Sequence, residues 1–275
     1  MRVTVCEMPN DPEAFRSAWE KLCAHTGGAS TDLVLLPEMP FSPWLAGDRP
    51  GPEAEVAQRW ARALEDHERW IARLGDLEAP LVAATRPVVQ DGRRLNQAFL
   101  WSPESGPVPL HHKRYLPEED GFWEAGWYGR GDSDFLAKPV RIPGGRRGGG
   151  DADPSEGVVG ALICTEIWFN HHAREYGEAG AHLLLCPRAT LRPSTDKWIA
   201  GGRAAAVVSG AYCLPTNFAG SAGTHGVWGG GGWVVDPEEG DVLGVTSAEI
   251  PFLTQDIDLA RAEAAKNTYP RYVRP

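Results

Sequence analysis

The run Val158-Val159-Gly160-Ala161-Leu162-Ile163 stops at Cys164 and gives way at once to Thr165-Glu166-Ile167-Trp168-Phe169-Asn170. A short apolar run with no polar residue to mark a solvent face reads as a buried strand. Buried strands of this kind belong to sheets covered by helices. The thiol therefore stands at a strand's C-terminal edge, where open α/β sheets collect binding and chemistry.

The rest of the chain agrees with an α/β fold. Residues 2–8 read as a strand, and residues 11–26 as an amphipathic helix with Phe15, Trp19, Leu22 and Cys23 at helical spacing. Asp32-Leu33-Val34-Leu35-Leu36 is a short buried strand running into Pro37-Glu38, and residues 52–74 form a longer helix. Strands are expected near 80–89, 95–102, 107–112 and 135–142, with a polar, aromatic loop over 113–133. Past Cys164 come a helix at 170–180, a strand at 182–186, a helix at 195–209 and a strand at 211–216. Residues 226–258 read as strands, with Asp236-Pro237-Glu238-Glu239-Gly240 a turn between two of them. No repeat or long linker divides the chain, so residues 1–275 are expected to be one domain.

The stretch Gly144-Gly145-Arg146-Arg147-Gly148-Gly149-Gly150 lacks the Lys-Ser/Thr of a phosphate loop and precedes a strand rather than a helix. It is expected to be a mobile surface hairpin. A net charge of −10 argues against nucleic acid as a partner, since phosphates need a basic face. No apolar stretch reaches the ~20 residues of a membrane span, and the strand-like N-terminus lacks a signal-peptide core. The expected setting is the cytoplasm. The five cysteines are widely spread without a C-x-x-C pair, so neither a zinc ribbon nor a disulfide framework is indicated. Cys6, Cys186 and Cys213 lie in strand-like runs and read as small buried hydrophobes.

Three segments carry groups that a thiol nucleophile needs. In Leu35-Leu36-Pro37-Glu38-Met39-Pro40, a glutamate at a strand end is held between two prolines. Burial there raises a carboxyl pKa and makes it a better base near neutrality. In His112-Lys113-Arg114-Tyr115-Leu116-Pro117, a strand-end lysine precedes a Leu-Pro turn and serves as a fixed cation. His111 and His112 do not suggest a metal, because neighbours on a strand point to opposite faces. Cys164 is the third. A thiol is only slightly ionised at neutral pH, so it needs the base to take its proton and the cation to steady the charge that follows. The N–H of Thr165 adds a donor for the oxyanion. Alone, the glutamate and the lysine would each read as solvated loop residues. Together with the cysteine they make an enzyme the better reading.

This set resembles the nitrilase superfamily, the carbon–nitrogen hydrolases, over nearly the whole chain. Its motif pattern is closest to the amidase and N-carbamoyl amide hydrolase branches. The resemblance rests on Leu36-Pro37-Glu38, on Lys113 through Pro117 followed by Gly121 and Glu124, and on Cys164 with Glu166 two residues later. Arg174, Asn217 and the Asp236–Gly240 turn match further family positions. Thr165 stands where the family places an aromatic, and Asn170-His171 replaces Pro-Glu. The resemblance implies a four-layer αββα sandwich of the nitrilase type. It implies Glu38 as general base, Lys113 as oxyanion cation, Cys164 as nucleophile and Glu124 as the residue that holds lysine and substrate. It also implies a homodimer or higher homo-oligomer. The reaction so implied is cysteine-dependent hydrolysis of an amide or N-carbamoyl group through a thioester, with ammonia or an amine released and no metal or organic cofactor needed. Trp123, Trp168 and Phe169 are candidates for an aromatic acyl pocket. Arg188 is a candidate for holding a substrate carboxylate at the rim.

Three other readings use the same residues. A nitrilase would act on a nitrile, and an acyltransferase would pass the acyl group to an amine. An inactive binding or scaffold module would have no reason to keep Glu38, Lys113, Glu124 and Cys164 together. Cysteine hydrolases of the isochorismatase type also use an acid, a lysine and a cysteine, but begin from an Asp and are shorter.

Overall fold

Alternation along the first strands sets the layers. The computed structural model describes residues 1–132, 135–142 and 155–273; the glycine-arginine stretch at 144–150 lies outside them. In β1 (Arg2–Pro9), β2 (Leu33–Leu35) and β3 (Leu81–Gln90), successive side chains point to opposite faces of the sheet. Val3, Val5, Leu33, Leu35, Leu81 and Ala83 enter one core, and Cys6, Met8, Val34, Val82 and Ala84 enter another. A sheet with apolar residues on both faces has to be covered on both.

β2 pairs parallel with β1 and β3, and β3 continues antiparallel through β4 (Arg93–Ser102) and β5 (Gly106–His112). The second half of the sheet begins with β6 (Lys138–Ile142) against β7 (Ser155–Ala161). It runs on in parallel through β8 (Leu183–Pro187) and β9 (Tyr212–Ser221). β10 (Val227–Gly229) pairs with β9, β11 (Trp233–Val235) with β9 and β12 (Val242–Val245), and β13 (Phe252–Asp256) with β1. β1 joins the halves. Its residues Val3–Val5 pair with β2, and its last residues pair with β9 through Glu7–Asn217 and Met8–Phe218. The halves then face each other, and the core between them mixes Val3, Leu35 and Ala98 from one with Val159, Leu183 and Leu185 from the other.

Helices close the outer faces. α1 (Pro12–Ala29) starts where the Asp11 carboxylate accepts from the N–H groups of Glu13 and Ala14, and ends at Ser30 in a left-handed conformation. Phe15, Trp19, Leu22 and Thr26 make its buried stripe, and burying side chains such as Phe15 and Leu22 is worth about 1.5–3 kcal/mol each. α2 (Glu53–Ile71) lies beside it over β3 and buries Val56, Trp60, Ala63 and His67. After the short α3 (Glu124–Trp127), α4 (Asn170–Glu178) and α5 (Thr195–Ser209) pack together on the other side, α5 against β9. Gly160 in β7 permits this approach, because a Cβ there would lie 2.6 Å from the Tyr176 ring of α4. The result is the expected α/β sandwich of helix, sheet, sheet and helix. The short C-terminal helix α6 (Leu259–Ala265) was not anticipated. Among the described residues no helix is long and apolar enough to cross a membrane.

Candidate active site

Four segments deliver the candidate residues to one place. Glu38 follows β2, Lys113 follows β5 directly, Glu124 opens α3, and Cys164 follows β7 at the start of a 3₁₀ turn, Cys164–Trp168. Glu38, Lys113 and Glu124 are 0% exposed and Cys164 is 3% exposed. Ordinary solvated charges are therefore ruled out at all three ionisable positions.

The lysine sits between the two carboxylates. Its Nζ donates to Glu38 Oε1 at 2.7 Å and pairs with Glu124 Oε2 at 2.6 Å. Asn96 Nδ2 donates to the same Glu38 oxygen at 2.7 Å, and Tyr128 OH donates to Glu124 Oε2 at 2.6 Å. Buried ions are tolerated when paired and bonded in this way. Two carboxylates against one ammonium still leave an excess negative charge, and its effect is visible on the protons. Burial pushes the Glu38 carboxyl up to about 7; Lys113 pulls against this and Glu124 adds to it. Burial works against the Lys113 ammonium, yet Glu124, Glu38 and Cys164 together hold its pKa above the usual lysine range. Lysine stays charged, and Glu38 is poised to gain or lose a proton near neutrality.

The Cys164 thiol adjoins the Glu38 carboxyl and lies 3.9 Å from the Ala189 carbonyl. Burial, followed by the charge on Glu38, pushes the thiol well above the usual cysteine range, while Lys113 opposes. The thiol is thus neutral at rest, and it could act as a nucleophile only with a base to take its proton. Its backbone φ is +49°, a left-handed conformation that costs a non-glycine residue of order 1–3 kcal/mol. Met39, next to Glu38, has a φ of +44° and is held by its N–H to Thr85 Oγ1 at 2.7 Å. Both Glu38 and Cys164 therefore sit on or beside a strained turn. In the first turn of the 3₁₀ segment the Thr165 N–H has no intrahelical acceptor, which leaves it available to an oxyanion.

A cavity of about 1090 Å³ opens above Cys164 and Glu124. Phe169 and Trp168 line it, as the sequence suggested. Phe169 stacks on Tyr115 with ring centres 3.7 Å apart, and Trp168 lies 5.1 Å from Trp198. Two of the sequence expectations need correction. Trp123 is not among the lining residues; Arg49 covers its ring at 4.1 Å. Arg188 is not on the rim but fully buried, because the strand it follows ends inside the sandwich. Its guanidinium donates to Thr190 Oγ1 at 2.8 Å and to the Gly231 carbonyl at 2.7 Å, and lies over the Trp233 ring.

Asn96 and Tyr128 were not anticipated. Asn96 lies beside Gln97 in a strand that also carries Arg93 and Arg94, so nothing in the sequence set it apart. Tyr128 follows the single turn of α3 in extended backbone, and nothing in a segment read as a loop marked it. Asn217, a position read from the resemblance, braces the cavity floor by accepting from Thr190 N and donating to Thr190 O and Gly230 O. His111 and His112 do point apart, His111 toward Glu166 and His112 toward Gln97.

The sequence pattern of a family described as carbon-nitrogen hydrolase matches residues 2–267. No curated protein matches in sequence. Among solved structures, a carbon–nitrogen hydrolase from Helicobacter pylori G27 aligns over 98% of this chain and 94% of its own, at 18% identity and TM-score 0.74. The NitN amidase from Nesterenkonia sp. AN1 aligns over 98% and 96%, at 22% identity and TM-score 0.70. A variant of that amidase, carrying the acetamide moiety of fluoroacetamide covalently at its active-site cysteine, aligns over 98% and 94% at 22% identity and TM-score 0.71.

Proposed function

The chain belongs to the carbon–nitrogen hydrolase family, and from that premise we propose that it is an amidase or N-carbamoyl hydrolase working through a Cys164 thioester. The observation that carries the reading is the buried Glu38–Lys113–Glu124 cluster set against the Cys164 thiol at the base of a large cavity. Glu38 takes the thiol proton as Sγ attacks the carbonyl carbon. The carbonyl electrons move onto oxygen, where Lys113 Nζ and the Thr165 N–H stabilise them. As the tetrahedral centre collapses, the C–N bond breaks and Glu38 returns the proton to the departing nitrogen. Water then enters, Glu38 removes its proton, and the thioester opens to an acid and the free thiol. Glu124, steadied by Tyr128, keeps the lysine in place throughout. Support for a nucleophilic cysteine comes from the Nesterenkonia amidase, whose active-site cysteine is covalently modified by the acetamide moiety of fluoroacetamide.

The substrate we propose carries a bulky aromatic group, on the acyl side of an amide or on the nitrogen side of a carbamoyl compound. The cavity greatly exceeds acetamide in size, and the Tyr115–Phe169 and Trp168–Trp198 pairs offer flat apolar walls. The test is ammonia release by purified protein over aryl amides, small aliphatic amides, N-carbamoyl compounds and nitriles, with Cys164→Ala as control. Release from amides or carbamoyl compounds that vanishes in Cys164→Ala is expected, fastest with aryl amides. Release from nitriles alone would replace the reading with a nitrilase. Acyl transfer to added amine without hydrolysis would replace it with a transferase.

A further inference from the structure

Glu166 takes no part in the scheme above, yet it is a carboxylate with 0% exposure beside the nucleophile. Its bonds are unusual in where they go. Oε2 accepts from the Ile163 N–H at 2.8 Å, the residue just before Cys164. Oε1 accepts from the Arg114 N–H at 2.6 Å, the residue just after Lys113. His111 Nε2 lies 3.0 Å from both oxygens, and since each oxygen already accepts from a backbone N–H, the ring is placed to add a third donor. One side chain thus grips the backbone on both sides of the chemistry, across a sequence separation of 52 residues.

We infer that Glu166 is a positioning residue: a clip, completed by His111, that fixes the distance between the Lys113 ammonium and the Cys164 thiol. This rests on the amidase reading and extends it. Backbone N–H donors leave the carboxylate no freedom to swing, and charge-assisted bonds of this kind are the stronger ones. The bond to Ile163 N also holds the turn in which Cys164 keeps its φ of +49°. Without the clip that turn can relax, and the thiol and the ammonium can drift apart. His111 adds the third donor from β5, the strand that carries Lys113, and its ring lies 4.4 Å from Phe135.

Glu166→Gln keeps the volume but turns an NH₂ group toward a backbone N–H. The expected result is a fall in kcat of about 100-fold per Cys164 site, with KM changed by less than about threefold, because a misplacement of about 1 Å costs on that scale. Alkylation of Cys164 by fluoroacetamide, followed by mass spectrometry, should slow by about tenfold or more. A purely structural role would lower the melting temperature without moving either rate in the folded protein. His111→Leu removes the third donor and should slow both readouts; His111→Gln keeps an N–H donor and should restore most of the loss. A folded Glu166→Gln protein within about twofold of wild type on both rates would overturn the clip. Should Glu166→Gln not fold, equal rates in His111→Leu and His111→Gln would overturn it instead. A wild-type chain with no ammonia release and no preference of fluoroacetamide for Cys164 over Cys23 is a different failure. It would overturn the amidase reading and the clip's catalytic role with it.

Discussion

Glu38 and Glu166 flank the same cysteine, both carboxylates are fully buried, and they are bonded in opposite ways. Glu38 receives Lys113 Nζ and Asn96 Nδ2 on a single oxygen, Oε1, while Oε2 has no hydrogen-bond partner of good geometry among the described residues. Glu166 receives donors on both oxygens, and two of them are backbone N–H groups. A carboxylate with a bare oxygen in a dry site has somewhere to put a proton and a reason to take one. A carboxylate gripped by main-chain N–H groups on both oxygens is held in place instead. The difference teaches how one fold holds the same residue type in two ways beside one thiol: Glu38 is left one bond short, and Glu166 is not.

The comparison breaks most visibly at Glu38. Glu38→Gln preserves shape and the bond from Asn96 but cannot accept a proton, so kcat should fall by about 10³–10⁴, near the upper end for general acid–base catalysis. Residual turnover within about tenfold of wild type would mean the base lies elsewhere. The next effect is on pH. Glu38 must be ionised to accept the thiol proton, and burial places its pKa at about 7. The kcat/KM of the free enzyme should therefore fall as pH drops through about 7. Glu124 is one of the groups that raises Glu38, so Glu124→Gln should move that acid limb to lower pH even though it slows the enzyme. A limb that stayed in place would show that the titrating group is not Glu38. The smallest effect on catalysis is expected at Arg188. Arg188→Met removes donors to Thr190 and to the Gly231 carbonyl, which should cost about 1–3 kcal/mol of stability. The preference between acidic and neutral amides should stay unchanged, which a thermal melt and paired kcat/KM values would check.

Arg188 also marks where reading the chain reaches its limit. Cys164 and Glu38 were legible because each closely follows a short apolar run, and Lys113 because it precedes a Leu-Pro turn at a strand end, positions that local pattern can locate. Arg188 follows such a run too, yet its side chain turns to Thr190, the Gly231 carbonyl and the Trp233 ring. Which neighbours a strand-end side chain meets depends on what packs around it, and the sequence of β8 does not say. Trp123 failed for the same reason: it flanks Glu124 in the chain, but Arg49 stacks on it from another segment. The clip was out of reach altogether. The acid two residues after the cysteine was noticed as a motif position, but its acceptor role depends on Arg114 and His111 arriving from 52 and 55 residues away.

The four-layer arrangement was implied by the resemblance; by itself, the sequence determined the alternation of helices and strands and the thiol, carboxyl and amine carried at strand ends. Those are set by periodicity and residue type over a few neighbours, information that is local. Tertiary structure alone decided the protonation chemistry and the fixed geometry. Glu38 is raised to about 7 only because other segments strip it of water and set Lys113 and Glu124 against it. Desolvation and charge pairing are properties of a place in the fold, and a residue has neither until the chain closes around it.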